Sequence, residues 1–129
     1  MPNDLFKKIF RAAFPHKNPI LVKKEYHLPE TLSWTIRLTP EGWFVATSDE
    51  LPGLVTQARS QQELIEMTND AVLTYFDVPK KEATIVYNQM NLGNHVVLYG
   101  QISDRWDEDL PKEDKEYKAW LLSAPPLLA

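Results

Sequence analysis

The sequence predicts an α+β fold in which a small antiparallel sheet carries one main helix, in the order β-β-β-α-β. Extended segments with alternating apolar residues occupy the stretch from 33 to 58. Two turn signals, Pro40-Glu41-Gly42 and Pro52-Gly53, separate these segments into three strands. The segment that begins at Ser60 then changes to the 3.6-residue apolar spacing of an amphipathic helix.

Residues 1–30 are predicted to form an N-terminal helix and a linker. Residues 4–14 place apolar side chains at helical spacing, with basic side chains on the other side. We expect this helix to pack on its own domain or on a sister subunit, because so short a helix is marginal alone. A membrane-surface or partner-docking helix is the alternative. Pro15 and Pro19 bound the linker, and residues 20–26 are interpreted as an additional extended element.

Residues 31–102 are predicted to form the core of the domain. In the first strand Trp34, Ile36 and Leu38 share one face. The second strand, residues 43–47, is apolar on both faces, which is typical of a strand inside a sheet with cover above and below. The third strand covers residues 54–58.

The main helix has clear start and stop signals. Ser60 and Glu63 form a capping box, and Pro79 ends the helical pattern. The apolar stripe expected to lie on the sheet consists of Leu64, Ile65, Thr68, Ala71, Val72, Tyr75 and Phe76.

After the helix, residues 83–87 predict a strand and residues 90–94 a turn. Residues 95–99 predict another strand, paired with the previous one as a hairpin. Residues 103–129 are interpreted as an acidic, partly irregular C-terminal extension. Within this extension, residues 103–116 are predicted to form a mobile loop or tail, and residues 117–122 one or two helical turns.

Composition limits the function. The 129 residues suggest one domain, and the absence of cysteine excludes disulfides and thiolate zinc sites. A formal net charge of −4 argues against a general nucleic-acid binder. It suits a basic partner, although a net charge of this size is also common where it only keeps a protein in solution. No apolar run approaches the roughly 20 residues of a membrane span, and the N-terminus does not have the order of a signal peptide. We expect a cytoplasmic protein.

The acidic residues are the main candidates for a functional site: Asp49, Glu50, Glu63, Glu66 and Asp70. The last three lie at i, i+3 and i+7, so they share one face of the helix. Converging carboxylates could hold two metal ions for nuclease chemistry, but a solvated acidic surface is the simpler interpretation. We therefore expect no catalysis, no metal and no cofactor.

Other chemistry-bearing residues give weaker signals. His16, His27 and His95 are far apart and lack the spacing of metal ligands. Base stacking on tryptophans would call for interleaved basic residues, so core or interface packing is expected instead. The four tryptophans are Trp34, Trp43, Trp106 and Trp120.

The central unit resembles the HicB family, the antitoxin half of bacterial HicA–HicB toxin–antitoxin pairs. The matching residues are Gly42-Trp43-Phe44-Val45-Ala46, Glu50-Leu51-Pro52-Gly53, Val55-Thr56 and Ser60 through Glu63, about a third of the chain. The resemblance implies a partial ribonuclease-H-like fold, a three- or four-stranded sheet with one helix, without nuclease activity.

The resemblance also implies an antitoxin-type binder that masks a small basic RNA-cleaving toxin, with the five acidic residues as candidates for the binding surface. Leu51, Pro52 and Gly53 would shape a structural corner. Many family members carry a C-terminal DNA-binding motif; residues 80–129 match none, which argues against direct DNA binding. We also expect the chain to form a homodimer or a higher homo-oligomer. The alternative functions are a stand-alone oligomeric interaction module, dimeric through an edge strand or the N-terminal helix, and a metal-dependent nuclease.

Overall fold

The computed structural model describes residues 18–100 and 115–123. The predicted helix at 4–14 and the acidic segment 103–114 lie outside the described residues. The described elements are α1 (Pro19–Glu25), β1 (Thr31–Leu38), β2 (Phe44–Ser48), β3 (Val55–Ala58), α2 (Gln61–Tyr75), β4 (Gln89–Leu92), β5 (His95–Leu98) and β6 (Lys115–Leu122). The predicted α+β class is confirmed.

The six strands form one antiparallel sheet in the order β3-β2-β1-β6-β4-β5. Strand β6 pairs with β1 from Thr31↔Leu122 to Leu38↔Lys115, and its C-terminal half also pairs with β4. The helical turns predicted at 117–122 are therefore wrong. Buried and exposed side chains alternate there with the two-residue period of a strand. This segment belongs to the centre of the sheet rather than to an extension.

Helix α2 packs on one face of the sheet, which we call the helix face. The predicted inward set of β1 is confirmed, because Trp34, Ile36 and Leu38 are all buried there. In β2, which lies between β3 and β1, Phe44 and Ala46 are buried on the same face. The predicted cover on the second face of β2 is not seen among the described residues, where its side chains are half-buried or exposed.

The extended element predicted at 20–26 is wrong, because Pro19–Glu25 forms helix α1. The Asn18 side-chain oxygen accepts a hydrogen bond from the Ile20 amide at 2.8 Å, and Pro19 occupies the first turn. A side-chain cap followed by a proline with a helical φ favours a helix start even before β-branched residues. Val22 is fully buried and anchors the helix on the core.

Helix α2 starts as predicted. The Ser60 hydroxyl accepts a hydrogen bond from the Glu63 amide at 3.1 Å, which is the hydroxyl half of a capping box. Leu64, Ile65, Thr68 and Val72 of the predicted stripe are buried, whereas Tyr75 is largely exposed at the last turn. The helix ends at Tyr75, with Phe76 as its C-cap.

The strand predicted at 83–87 is wrong: this segment has no strand, although Ala83, Val86 and Tyr87 are buried. Its amides are bonded to a helix side chain instead, as described below. The turn predicted at 90–94 is also misplaced, because β4 occupies Gln89–Leu92 and the chain turns only at 93–94. Strand β5 lies where a strand was predicted, but its hairpin partner is β4.

Candidate functional site

The five acidic candidates do not form one surface. Asp49 and Glu50 follow β2 and contact Ser33 of β1, whose amide donates to Glu50 Oε1 at 3.3 Å. The other three, Glu63, Glu66 and Asp70, lie on α2, which covers the opposite face of the sheet. Two separate surfaces therefore have to be considered.

The Asp49 carboxylate is bound within the fold. It accepts hydrogen bonds from the Ser33 hydroxyl at 2.6 Å and the Thr35 hydroxyl at 2.8 Å, and it pairs with the Lys118 ammonium. Partial burial acts to raise the pKa of Asp49, but the bonds from Lys118, Ser33 and Thr35 outweigh it and hold the pKa below its ordinary value. Asp49 thus ties the end of β2 to β1 and β6.

The face of the sheet opposite α2, which we call the open face, is uncovered by any described element. The strand registers place Val96, Asn91, Trp120 and Ser33 in one row across β5, β4, β6 and β1. Trp120 is 45% exposed and Val96 is 63% exposed. The next row brings half-buried leucines beside them. We call the four apolar residues the open-face patch: Val96, Leu98, Trp120 and Leu122.

The tryptophans divide between interior and surface. Trp34 is fully buried, and Trp43 lies under the Arg59 guanidinium at 4.5 Å. Trp120 is exposed on the open face, and Trp106 lies outside the described residues. Core packing is therefore confirmed for Trp34.

The second surface is a cavity of about 390 Å³ between α2 and the segment 78–85, which we call the helix-side cleft. Two carboxylates of α2, Glu66 and Asp70, lie at its mouth with Lys80 and Tyr99. Its apolar lining consists of Met67, Leu73, Val78, Ala83 and Ile85. The volume lies within the range of small-ligand pockets, and the combination of an apolar floor with a few polar groups is typical of them.

The polar groups at the mouth contact one another. The Tyr99 hydroxyl donates to Glu66 Oε1 at 3.3 Å, and Lys80 Nζ lies 3.6 Å from Asp70 Oδ1. Slight burial raises the pKa of Tyr99, and the nearby Glu66 charge adds to this shift, so the phenol stays a donor at neutral pH. Glu63 does not line the cleft.

Two side chains of α2 hold the walls of the cleft in place. Asn69 is fully buried; its amide nitrogen donates to the Tyr87 carbonyl at 2.7 Å, and its oxygen accepts from the Val86 and Tyr87 amides at 2.9 and 2.8 Å. Gln62 donates to the Leu98 carbonyl at 2.9 Å and accepts from the Gly100 amide at 2.7 Å, which positions the intervening tyrosine. Neither residue is predicted as functional from the sequence, although the polar Asn69 beside Ile65 and Val72 of the apolar stripe signals such a bond.

The corner at residues 51–53 is a tight turn. Gly53 has a φ of +80°, which L side chains rarely adopt, and the Leu54 amide donates to the Leu51 carbonyl at 3.2 Å. The Ser48 hydroxyl accepts from the Leu51 amide at 2.9 Å. This turn leads directly into β3, which lies at one edge of the sheet.

Within residues 18–100 and 115–123, no group of three or more histidine, aspartate and glutamate side chains is arranged to hold a metal ion. His27 lies just after α1 with a φ of +54°, and His95 begins β5; His16 lies outside the described residues. None of the helices in this part of the chain is both long and apolar enough to cross a membrane.

No protein-family model matches this chain, and no curated protein and no solved structure matches it. The candidate contact surfaces of the described residues are the β3 corner, the open face and the helix-side cleft.

Proposed function

We propose that this chain is a non-catalytic, HicB-like binding protein of the antitoxin type, which masks a small basic RNA-cleaving protein. The observation that carries the proposal is the position of β3. The acidic corner Glu50-Leu51-Pro52-Gly53 of the resemblance leads into this strand, which pairs only with β2 among the described strands. An edge strand can add a strand from a partner through main-chain hydrogen bonds.

Charge supports the same partner class. The chain has a formal net charge of −4, and Glu50, Glu66 and Asp70 are exposed. Opposite charges on two proteins raise the association rate, and this effect falls with ionic strength. A basic ribonuclease is a suitable partner, because its RNA-binding surface must itself be positive.

The test is coexpression of the chain with the product of the neighbouring reading frame, followed by purification of the complex. We expect a small basic protein to copurify and its RNA cleavage to stop when this chain is added. Recovery of no basic partner, or undiminished RNA cleavage in the mixture, would overturn the proposal.

A charge-reversal pair locates the surface. Glu50→Lys should slow association with the basic partner about tenfold at low salt. Glu41→Lys makes the same charge change in the β1–β2 turn, at the other end of β2, and is the matched control. Equal effects of the two variants would mean that only net charge matters and that the β3 corner is not the contact.

The open-face patch favours a second candidate, an oligomeric interaction module. A half-exposed tryptophan with neighbouring aliphatic side chains on a sheet face is typical of a protein interface. If this candidate holds, sedimentation velocity will give a dimer for the wild type and a monomer for Trp120→Gln. A wild-type monomer at high concentration would exclude it.

A further inference from the structure

The helix-side cleft has the chemistry of a receptor for a long cationic side chain. Its floor includes Leu73, Val78 and Ala83, all buried, while Glu66 and Asp70 stand exposed at its mouth. An arginine side chain has the complementary form, with an apolar stem that packs on hydrophobic surface and a charged head that stays in contact with water.

The two carboxylates come from the same side of α2. Glu66 and Asp70 are four residues apart on α2, so their Cβ atoms are about 6 Å apart on the same side of the helix. A guanidinium carries five N–H donors in a rigid plane and can bond two carboxylates at once. The bond from the Tyr99 hydroxyl to Glu66 helps to orient this acceptor.

Lys80 is already present at the same mouth, in a position to be displaced. Its ammonium lies 3.6 Å from Asp70, and the two side chains are 81% and 50% exposed. An exposed pair of this kind contributes little to stability, so it is easily exchanged for a better partner. An incoming guanidinium would compete with Lys80 for Asp70.

We propose that the helix-side cleft binds an arginine side chain of the basic partner, with its stem against the Leu73 and Val78 floor and its guanidinium between Glu66 and Asp70. This inference rests on the proposed function for the identity of the partner. An ammonium is a strongly hydrated point charge that cannot bond two carboxylates in one plane, so lysine fits less well. Two carboxylates against one lysine leave the mouth negative, which disfavours anions.

The cleft is tested first on the isolated chain, with n-butylguanidinium as the probe in an amide NMR titration. We expect shifts confined to residues 66–85 and Tyr99, with binding at least about fivefold weaker for n-butylammonium and undetectable for 1-butanol. The double variant Glu66→Gln/Asp70→Asn should lose about tenfold or more in affinity. Glu41→Gln, at an exposed position of the β1–β2 turn outside the cleft, is its control. Scattered shifts, or equal binding of butanol, would overturn the inference.

The competitor role of Lys80 gives a sharper contrast. Lys80→Ala should tighten butylguanidinium binding about two- to fivefold, because the displaced ion pair no longer opposes it. Lys81→Ala makes the same change in net charge beside the cleft without lining it. Equal increases in butylguanidinium affinity for both variants would mean that only net charge matters, and they would count against a specific binding site in the cleft.

A second experiment measures the affinity of each variant for the copurified basic partner. Loss of partner affinity in Glu66→Gln/Asp70→Asn, with Glu41→Gln unchanged, supports the inference. Unchanged partner affinity in the double variant overturns it and leaves the proposed function standing. Failure of the wild-type chain to capture any basic partner overturns the proposed function, and the assignment of the arginine to that partner falls with it.

Discussion

Asn69 is the residue whose replacement should lower the free energy of unfolding most, relative to the size of its side chain. It is fully buried in α2 and makes four side-chain hydrogen bonds. Three of them satisfy backbone groups of Val86 and Tyr87, at 2.7–2.9 Å. The fourth goes to the Ile65 carbonyl in its own helix at 2.7 Å.

Asn69→Leu keeps the branched shape and the number of side-chain heavy atoms, in a somewhat larger volume, and removes every one of these bonds. The three backbone groups of Val86 and Tyr87 would then be buried without partners, at a cost of about 1–3 kcal/mol each. Some relaxation and water entry will recover part of this, so we expect a loss of about 3–5 kcal/mol in the free energy of unfolding. That is a large share of the 5–15 kcal/mol typical of a domain.

The measurement is equilibrium unfolding in urea, followed by circular dichroism and tryptophan fluorescence. Thr74→Ala, at an exposed position of the same helix, is the control and should change the free energy by less than about 0.5 kcal/mol. A loss below about 1 kcal/mol for Asn69→Leu would refute the reasoning, because it would mean that residues 86 and 87 find other partners at little cost.

Three further predictions test the sheet and the segment that follows α2. Asp49→Asn should lower the free energy of unfolding by about 1–2 kcal/mol at pH 7. Because the pKa of Asp49 is lowered in the folded state, its stabilisation of the wild type is present above pH 5 and is lost as the pH falls through that pKa. Thermal melts from pH 7 to 3 should therefore show a smaller loss of stability in acid for the variant than for the wild type. Tyr87→Phe should cost about 1–2 kcal/mol, because the buried hydroxyl donates to the Pro29 carbonyl at 2.6 Å. Burial raises the pKa of Tyr87, so wild-type stability should also fall above pH 10, and that of the Phe variant less. Truncation after Gly100 removes β6 and should abolish cooperative unfolding in calorimetry, whereas truncation after Ser123 should preserve it.

The parts of the fold that could be predicted are those encoded locally. Three strands and α2 were recognised because apolar periodicity, a turn with glycine and a capping serine lie within a few residues of each other. The Asn18 cap before Pro19 was an equally local signal for α1, and the apolar run at 20–22 obscured it.

The position of β6 could not be predicted in the same way. Residues 117–122 are apolar except for Lys118, so their sequence lacks the two-residue alternation that would exclude a helical turn. What makes them a strand is pairing with β1, more than 75 residues earlier in the chain, and with β4. Only tertiary contact supplies that information.

The candidate site was predicted in part. The spacing of Glu66 and Asp70 predicts a shared helix face, and both lie at the mouth of the helix-side cleft. The sequence does not predict that Lys80 and Tyr99 join them, because these two residues come from segments that meet α2 only in the folded chain. Asp49 is predicted as a partner-binding residue at a strand end, but Ser33, Thr35 and Lys118 bind its carboxylate within the fold.

The failed strand prediction at 83–87 and the cleft have the same physical cause. The sequence there is strand-like, but Asn69 bonds the amides of Val86 and Tyr87, so these groups have α2 as their partner instead of a neighbouring strand. The segment therefore lies beside the helix, and its residues 83–85 form a wall of the cavity. Pairing as a seventh strand would have removed that wall. The local preference of this segment is overridden at the point where the fold forms the cleft, and conflicts of this kind are expected at functional sites.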